Sequence, residues 1–397
     1  GSFETQIIER DRMFVNIFYL ALALIIMGVG FLKANISSIV GQLYEENDPR
    51  RDGGFTLYYY GINLGSFWAA ILCGLLGETV GWWAGFGLAG VGMLLGLVTF
   101  GMGRARLEGH GEPPKPEQLP ANLTKVLLGS LALVPLVYLL LSEDAAVRWL
   151  LGLAVFVVLG TLIITAVREE RVMRQRMFVL IVLWFFHMMF WMFFEQAGTS
   201  LTLFTKRNID LDIGGWEFPA AWGQFFNPLF ILVFGALFTM LWANLGRKGR
   251  DPSIPTKFGL ALIQLGLGFY VLVWAASGVE DTGLVSILIL IFCYLLHTTG
   301  ELCISPVGLS AVTKLAPKRM TGMVMGAWFL SIAAAHKVAA MIAGKTGAAG
   351  GEGMTPQETL PIYTDVFWQI TLYAVGAGVL IIIFGQLFLK RWLHGVN

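Results

Sequence analysis

Residues Gly28–Phe67 read GVGFLKANISSIVGQLYEENDPRRDGGFTLYYYGINLGSF. The stretch starts inside one apolar run and ends inside the next, with a short charged turn, Tyr44–Gly54, between them. A bilayer-crossing helix needs about 20 apolar residues, and both flanking runs reach that length. Two polar groups interrupt them, Lys33 in the first and Asn63 in the second.

The same reading extends over the whole chain. Of 397 residues, 56% are hydrophobic and only 13% charged; the mean hydropathy is +0.70. A soluble domain carries about a quarter charged residues, so this composition implies an all-α integral membrane protein. Eleven apolar runs lie at roughly 14–41, 55–77, 82–102, 126–142, 149–167, 178–205, 219–244, 257–277, 284–312, 320–343 and 366–389. Their length excludes a β-barrel, whose strands alternate and are about half as long. The connections are short, and no soluble domain fits between them. A net charge of +1 with no basic tail gives no sign of nucleic-acid binding. Cys73, Cys293 and Cys303 lie in apolar runs without metal spacing and read as packing residues.

Lysine and arginine placement sets the orientation. Alternate loops place nineteen of these residues on one side and six on the other, with Lys33 and Lys337 inside spans. The richer side is expected to be cytoplasmic and holds the C-terminus. With eleven spans, Gly1 then falls outside, and an odd number of helices is expected to precede it.

Few ionisable groups lie within the runs. Such groups are costly in lipid and usually face a cavity or a partner. Lys33 can snorkel to the cytoplasmic end or face a cavity; a reach of two helical turns favours the cavity. His187, Trp191 and Glu195, in WFFHMMFWMFFEQAGTSLTLF, are spaced four apart on one stripe. Among aromatics the charged form of Glu195 is penalised, which makes it a candidate proton carrier; the other reading is an ion pair with Lys33 or an arginine. His187 reads as a hydrogen-bonded packing residue. His297, Glu301 and Ser305 also step by four, and Pro306 is expected to kink or hinge their helix. That suits either a gate or better packing. Asn63, behind Tyr58, Tyr59 and Tyr60, offers two donors and an acceptor to a peptide-like group, or a helix–helix hydrogen bond. Asn227 and Gln224 carry the same two readings, with the helix–helix bond ahead. Trp328 is a cavity-wall or packing residue, and His336 and Lys337 have no assignment. No HExxH pattern or nucleophile–base pair stands out among the five histidines, so a membrane enzyme is not expected.

These segments carry a resemblance. FTLYYYGINLGSF, from Phe55 to Phe67, resembles the second signature of the proton-dependent oligopeptide transporters, a branch of the major facilitator superfamily. GVGFLKANISSIVGQLY is similar to that family's fourth helix, FWMFFEQAGTSLTLF to its seventh, GELCISPVGLSAVTKLAP to its tenth and MGAWFLS to its eleventh. The resemblance implies a proton-coupled symporter importing di- and tripeptides by alternating access, with protons as the coupling ion and no cofactor. It implies Lys33, Tyr59, Asn63, Trp191, Asn227, Glu301, Ser305 and Trp328 as peptide-contacting positions around one central cavity. Glu195, Glu301 and Lys33 would couple protons, and Glu301 would hold the peptide's amino end. It further implies the remainder of an N-terminal bundle at 1–102, a linker with an inserted two-helix hairpin at 103–176 and a six-helix bundle at 177–397. The three family helices that would stand first, with an ExxERFxYY motif, have no counterpart here; ERDRMF at Glu9–Phe14 is not that motif. A monomer in a bacterial inner membrane is expected. The scaffold leaves open another solute, such as nitrate or a drug-like molecule, or a non-transporting peptide sensor.

Overall fold

The computed structural model describes residues 12–43, 51–107, 109, 119–142, 144–349 and 353–396. In chain order the helices are α1 (Arg12–Gln42), α2 (Arg51–Thr79), α3 (Trp82–Gly103), α4 (Leu119–Ser142), α5 (Asp144–Arg168), α6 (Arg171–Phe194), α7 (Ser200–Asn208), α8 (Phe226–Arg247), α9 (Ile254–Ala276), α10 (Ile287–Leu315), α11 (Thr321–Ala349), α12 (Pro356–Phe384) and the short α13 (Lys390–Trp392). Two-residue strands β1 (Ile209–Asp210) and β2 (Val285–Ser286) pair with each other, and an isolated antiparallel bridge joins Asp212 to Glu217. Eleven segments among these residues are long and apolar enough to span a bilayer, one for each expected run. All three cysteines are free.

One difference from the expected pattern matters for the site. The sixth span, Arg171–Asn208, is not one helix: α6 ends at Phe194, a 3-10 turn covers Glu195–Gly198, and Thr199 leaves helical geometry before α7 begins. Pro306 lies inside α10, which runs from Ile287 to Leu315. Irregular backbone at membrane depth is tolerated where protein or a cavity satisfies it, and here it falls on Glu195.

The chain divides into two compact units, Gly1–Tyr59 with Met93–Leu153, and Tyr60–Gly92 with Ala154–Asn397. In the first, α1 packs on α4. Tyr138 donates to Asn16 Oδ1 at 2.9 Å, and its ring meets Tyr19 edge-on.

In the second unit α9 is the central helix, packed against α10 and α12. Its buried residues Leu262, Leu265, Phe269 and Leu272 recur at helical spacing. Association in lipid depends on close contact through small residues. Gly378 on α12 shows this: a Cβ there would lie 2.7 Å from the Gly259 carbonyl oxygen. At one end of the bundle β1 pairs with β2 in parallel. Fully buried Asn208 donates to the carbonyls of Gly283 and Pro356 at 2.9 and 2.8 Å and accepts from Thr359 at 3.0 Å. One amide thus joins α7, the β2 approach and α12.

The second half of α2 belongs to this unit and lies along the start of α8. Trp222 donates to the Ile71 carbonyl, Ala221 N–H to Glu78, and the Tyr60 hydroxyl accepts from Ala236. Phe67 and Phe225 meet edge-on, with ring centroids 5.5 Å apart. Tyr60 and Phe67 of the tyrosine-rich signature thus contact α8 and the 3-10 turn Ala220–Phe225 that precedes it.

Candidate functional site

The functional side chains of the second unit fall into two groups. The first centres on Glu301, buried on α10. Asn227, in the first turn of α8, donates Nδ2 to Glu301 Oε2 at 2.8 Å and to Thr298 Oγ1 at 3.1 Å. Thr298 Oγ1 in turn donates to the Tyr294 carbonyl at 2.7 Å. Both N–H groups of the Asn227 amide are thereby used, and one carboxylate oxygen of Glu301 is held. Among the described residues no hydrogen bond reaches the other oxygen. One turn on, the Ser305 hydroxyl is buried with no hydrogen-bond partner among the described residues. Buried polar atoms are rarely left unsatisfied, so this hydroxyl is a candidate ligand contact beside the carboxylate.

His297 leaves this face despite its spacing. Its ring packs on Phe269, with centroids 4.6 Å apart, and on Cys293 Sγ at 3.6 Å. Four residues turn a helix by about 400°, so each step drifts about 40°. Eight residues before Ser305, that drift carries His297 into the α9 packing surface.

The second group joins α6 and α11. Trp184 Nε1 donates to the Ala327 carbonyl, His187 Nδ1 pairs with Ser331 Oγ, Gln196 Nε2 donates to the Ala339 carbonyl, and Thr346 Oγ1 donates to Ser200 Oγ. The sequence separations are 143, 144, 143 and 146 residues. Near-constant separation means that the two spans run parallel in one register across the break at Glu195.

Within this seam the hydrogen bonds run in one direction. Trp191 Nε1 donates to His187 Nε2 at 2.9 Å. With that nitrogen accepting, the ring hydrogen sits on Nδ1 and is donated to Ser331 Oγ at 2.7 Å. Ser331 donates to the Trp328 carbonyl at 2.6 Å. His187 is thus a buried hydrogen-bonded residue that connects Trp191 to the α11 backbone. Trp328 is itself buried, its ring 4.3 Å from that of His187 and close against Gly308.

Glu195 opens the 3-10 turn, and its Oε2 lies 3.6 Å from Nδ1 of His336 on α11. Both side chains are partly exposed. Among the described residues the basic side chain beside Glu195 is a histidine, which the sequence reading of an ion pair with Lys33 or an arginine had not offered. Only the register between α6 and α11 reveals it, and no local pattern encodes that register.

On α2, Asn63 is buried and Tyr59 half-buried. Lys33 lies on α1, and its side chain is outside the described residues.

Comparison with known proteins follows the same segments. The POT family model matches residues 5–355. An uncharacterized transporter of Bacillus subtilis is 38% identical over 336 residues, covering 82% of this chain and 68% of that protein. The dipeptide and tripeptide permease A of Edwardsiella piscicida is 35% identical over 375 residues, covering 93% of this chain and 75% of the permease. Among solved structures, a peptide transporter POT in complex with alafosfalin superposes with a TM-score of 0.76 at 34% identity, covering 96% of this chain and 76% of that one.

Proposed function

The chain belongs to the POT family of membrane transporters, and on that premise we propose that it is a proton-coupled symporter importing di- and tripeptides by alternating access. One observation carries the reading: the buried Glu301 carboxylate, held at one oxygen by Asn227 and with no hydrogen bond at the other among the described residues. A peptide's α-ammonium is a compact cation with three donors. It can satisfy the second oxygen and donate to Ser305 Oγ one turn away. An uncompensated charge in an apolar site is costly, so the carboxylate is best occupied by an ammonium or by a proton. That alternation is a physical basis for coupling peptide to proton. The permeases named above make peptides the preferred cargo.

Asn63, buried on α2, supplies a contact along the peptide backbone. Trp191 provides aromatic surface, whereas Trp328, expected at the cavity wall, is buried against His187 and Phe258. Glu195 exchanges the coupling proton. The lysine and arginine bias supports a cytoplasmic C-terminus, and an inward proton gradient is the driving force for moving peptide inward with protons.

The test is uptake of labelled dialanine into proteoliposomes under an inward proton gradient. Glu301→Gln removes the charge and keeps the size. It is expected to abolish driven uptake, and wild-type uptake in that variant overturns the assignment. Excess nitrate should not compete; competition by nitrate but not by unlabelled dialanine would identify a different cargo.

A further inference from the structure

His336 takes no part in the functions described so far, yet it is the basic side chain that meets Glu195. Its position is enforced from both sides. The α6–α11 register is locked below it by His187–Ser331 and above it by Gln196–Ala339. Between those locks the backbone of the sixth span leaves the α-helix at Glu195 itself. The contact is Nδ1 to Oε2 at 3.6 Å, within ion-pair range.

We propose that His336 is a second proton-exchanging residue of the transport cycle, sharing one proton with Glu195 across the α6–α11 contact at the helix break. The proposal rests on the reading of Glu195 as the coupling-proton site.

The proton count gives the device its logic. With one proton on the pair, either His336 is imidazolium and Glu195 carboxylate, or Nδ1 has passed the proton to Oε2 and both are neutral. Either way the pair has no net charge, the least costly state within a membrane. A second proton leaves imidazolium beside a neutral carboxyl. Loss of the shared proton leaves carboxylate beside neutral imidazole. Both changes remove the ion pair and weaken the α11 contact at the break.

The elements around the pair carry other charged or titratable groups, among them Lys345 nine residues further along α11 and, on α10, Tyr294, whose buried hydroxyl has no hydrogen-bond partner among the described residues. On α10, Glu301 is bonded to Asn227 and His297 is packed on Phe269. On α6, both ring nitrogens of His187 are used. Lys337, next along α11, has an interaction of its own. Lys206 and Arg207 stand at the far end of α7, and Arg207 donates to the Tyr363 hydroxyl.

Two substitutions test the inference in proteoliposomes. His336→Asn removes the charge, and His336→Lys fixes it. The readout is gradient-driven dialanine accumulation relative to each variant's own dialanine counterflow, which needs no net proton movement. Both variants are expected to lose at least about fivefold in this ratio, the lower end of ordinary coupling between sites. Dialanine-dependent thermal stabilisation of the detergent-purified proteins identifies a folded variant independently of transport. A wild-type ratio in His336→Asn overturns the proposal. So does a wild-type ratio in His336→Lys, because a fixed cation would then suffice and proton exchange at this position would play no part. Glu195→Gln separates the two levels. A wild-type ratio there defeats the underlying reading of Glu195; a reduced ratio there with a wild-type ratio in His336→Asn defeats this inference alone.

Discussion

The side-chain amide of Asn227 holds Oε2 of Glu301 at 2.8 Å, and its second hydrogen goes to Thr298. A residue for which a helix–helix bond was the favoured reading therefore does structural and functional work at once. It ties α8 to α10, and it fixes the carboxylate that the transport reading depends on. Asn227→Ala leaves a buried carboxylate without its donor, at a cost of about 1–3 kcal/mol. A lower melting temperature in detergent and weaker dialanine binding are both expected. Unchanged melting and binding would mean that the bond contributes to neither.

His187 makes a second prediction. It accepts from Trp191 and donates to Ser331. His187→Phe preserves ring volume but strands the Trp191 N–H and the Ser331 hydroxyl. Destabilisation of about 1–3 kcal/mol is expected, with a change in tryptophan fluorescence because Trp191 loses its anchor and Trp328 its ring partner. Identical emission and melting in the variant would contradict the directional chain.

Gly308 admits the Trp328 indole. A Cβ at Gly308 would sit 2.6 Å from Cζ2 of that ring. The indole is buried against His187 and Phe258 and has little room to retreat. Gly308→Val is expected to cost about 1–3 kcal/mol through overpacking, read as reduced melting temperature and yield. Trp328→Phe in the same protein should recover part of the loss, whereas additive losses would exclude the clash as the cause.

Asn208 tests the connection between α7 and α12. Its amide serves the carbonyls of Gly283 and Pro356 and the hydroxyl of Thr359. Asn208→Ala strands buried partners and should cost about 1–3 kcal/mol. Asn208→Asp keeps the acceptor for Thr359 but loses both donors. It should melt no higher than the alanine variant; full stability of Asp would place the weight on Thr359 alone.

The sequence was legible wherever apolar length decides the outcome. All eleven spans follow from continuous hydrophobic runs, because in lipid each helix satisfies its own backbone. Glu195, Glu301 and Ser305 stood out in the sequence as candidates, since intramembrane polar groups are costly and few. What escaped was relational. The helix break falls at Glu195, although Pro306 carried the stronger local signal, and α10 continues through that proline. His297 shares a four-residue spacing with Glu301 but packs on α9, because helical drift separates them. His336 could not be paired with Glu195 until the parallel register of α6 and α11 was known. Each of these depends on which helices are neighbours and at what offset, and neither quantity is written in a single segment.

The central claim, that an inward proton gradient drives peptide uptake through Glu301, is tested most directly by dialanine accumulation in proteoliposomes with an acidic exterior. The wild-type protein should concentrate dialanine inside, a protonophore should abolish the accumulation, and Glu301→Gln should show none. Accumulation that survives the protonophore, or that is undiminished in Glu301→Gln, would contradict the account.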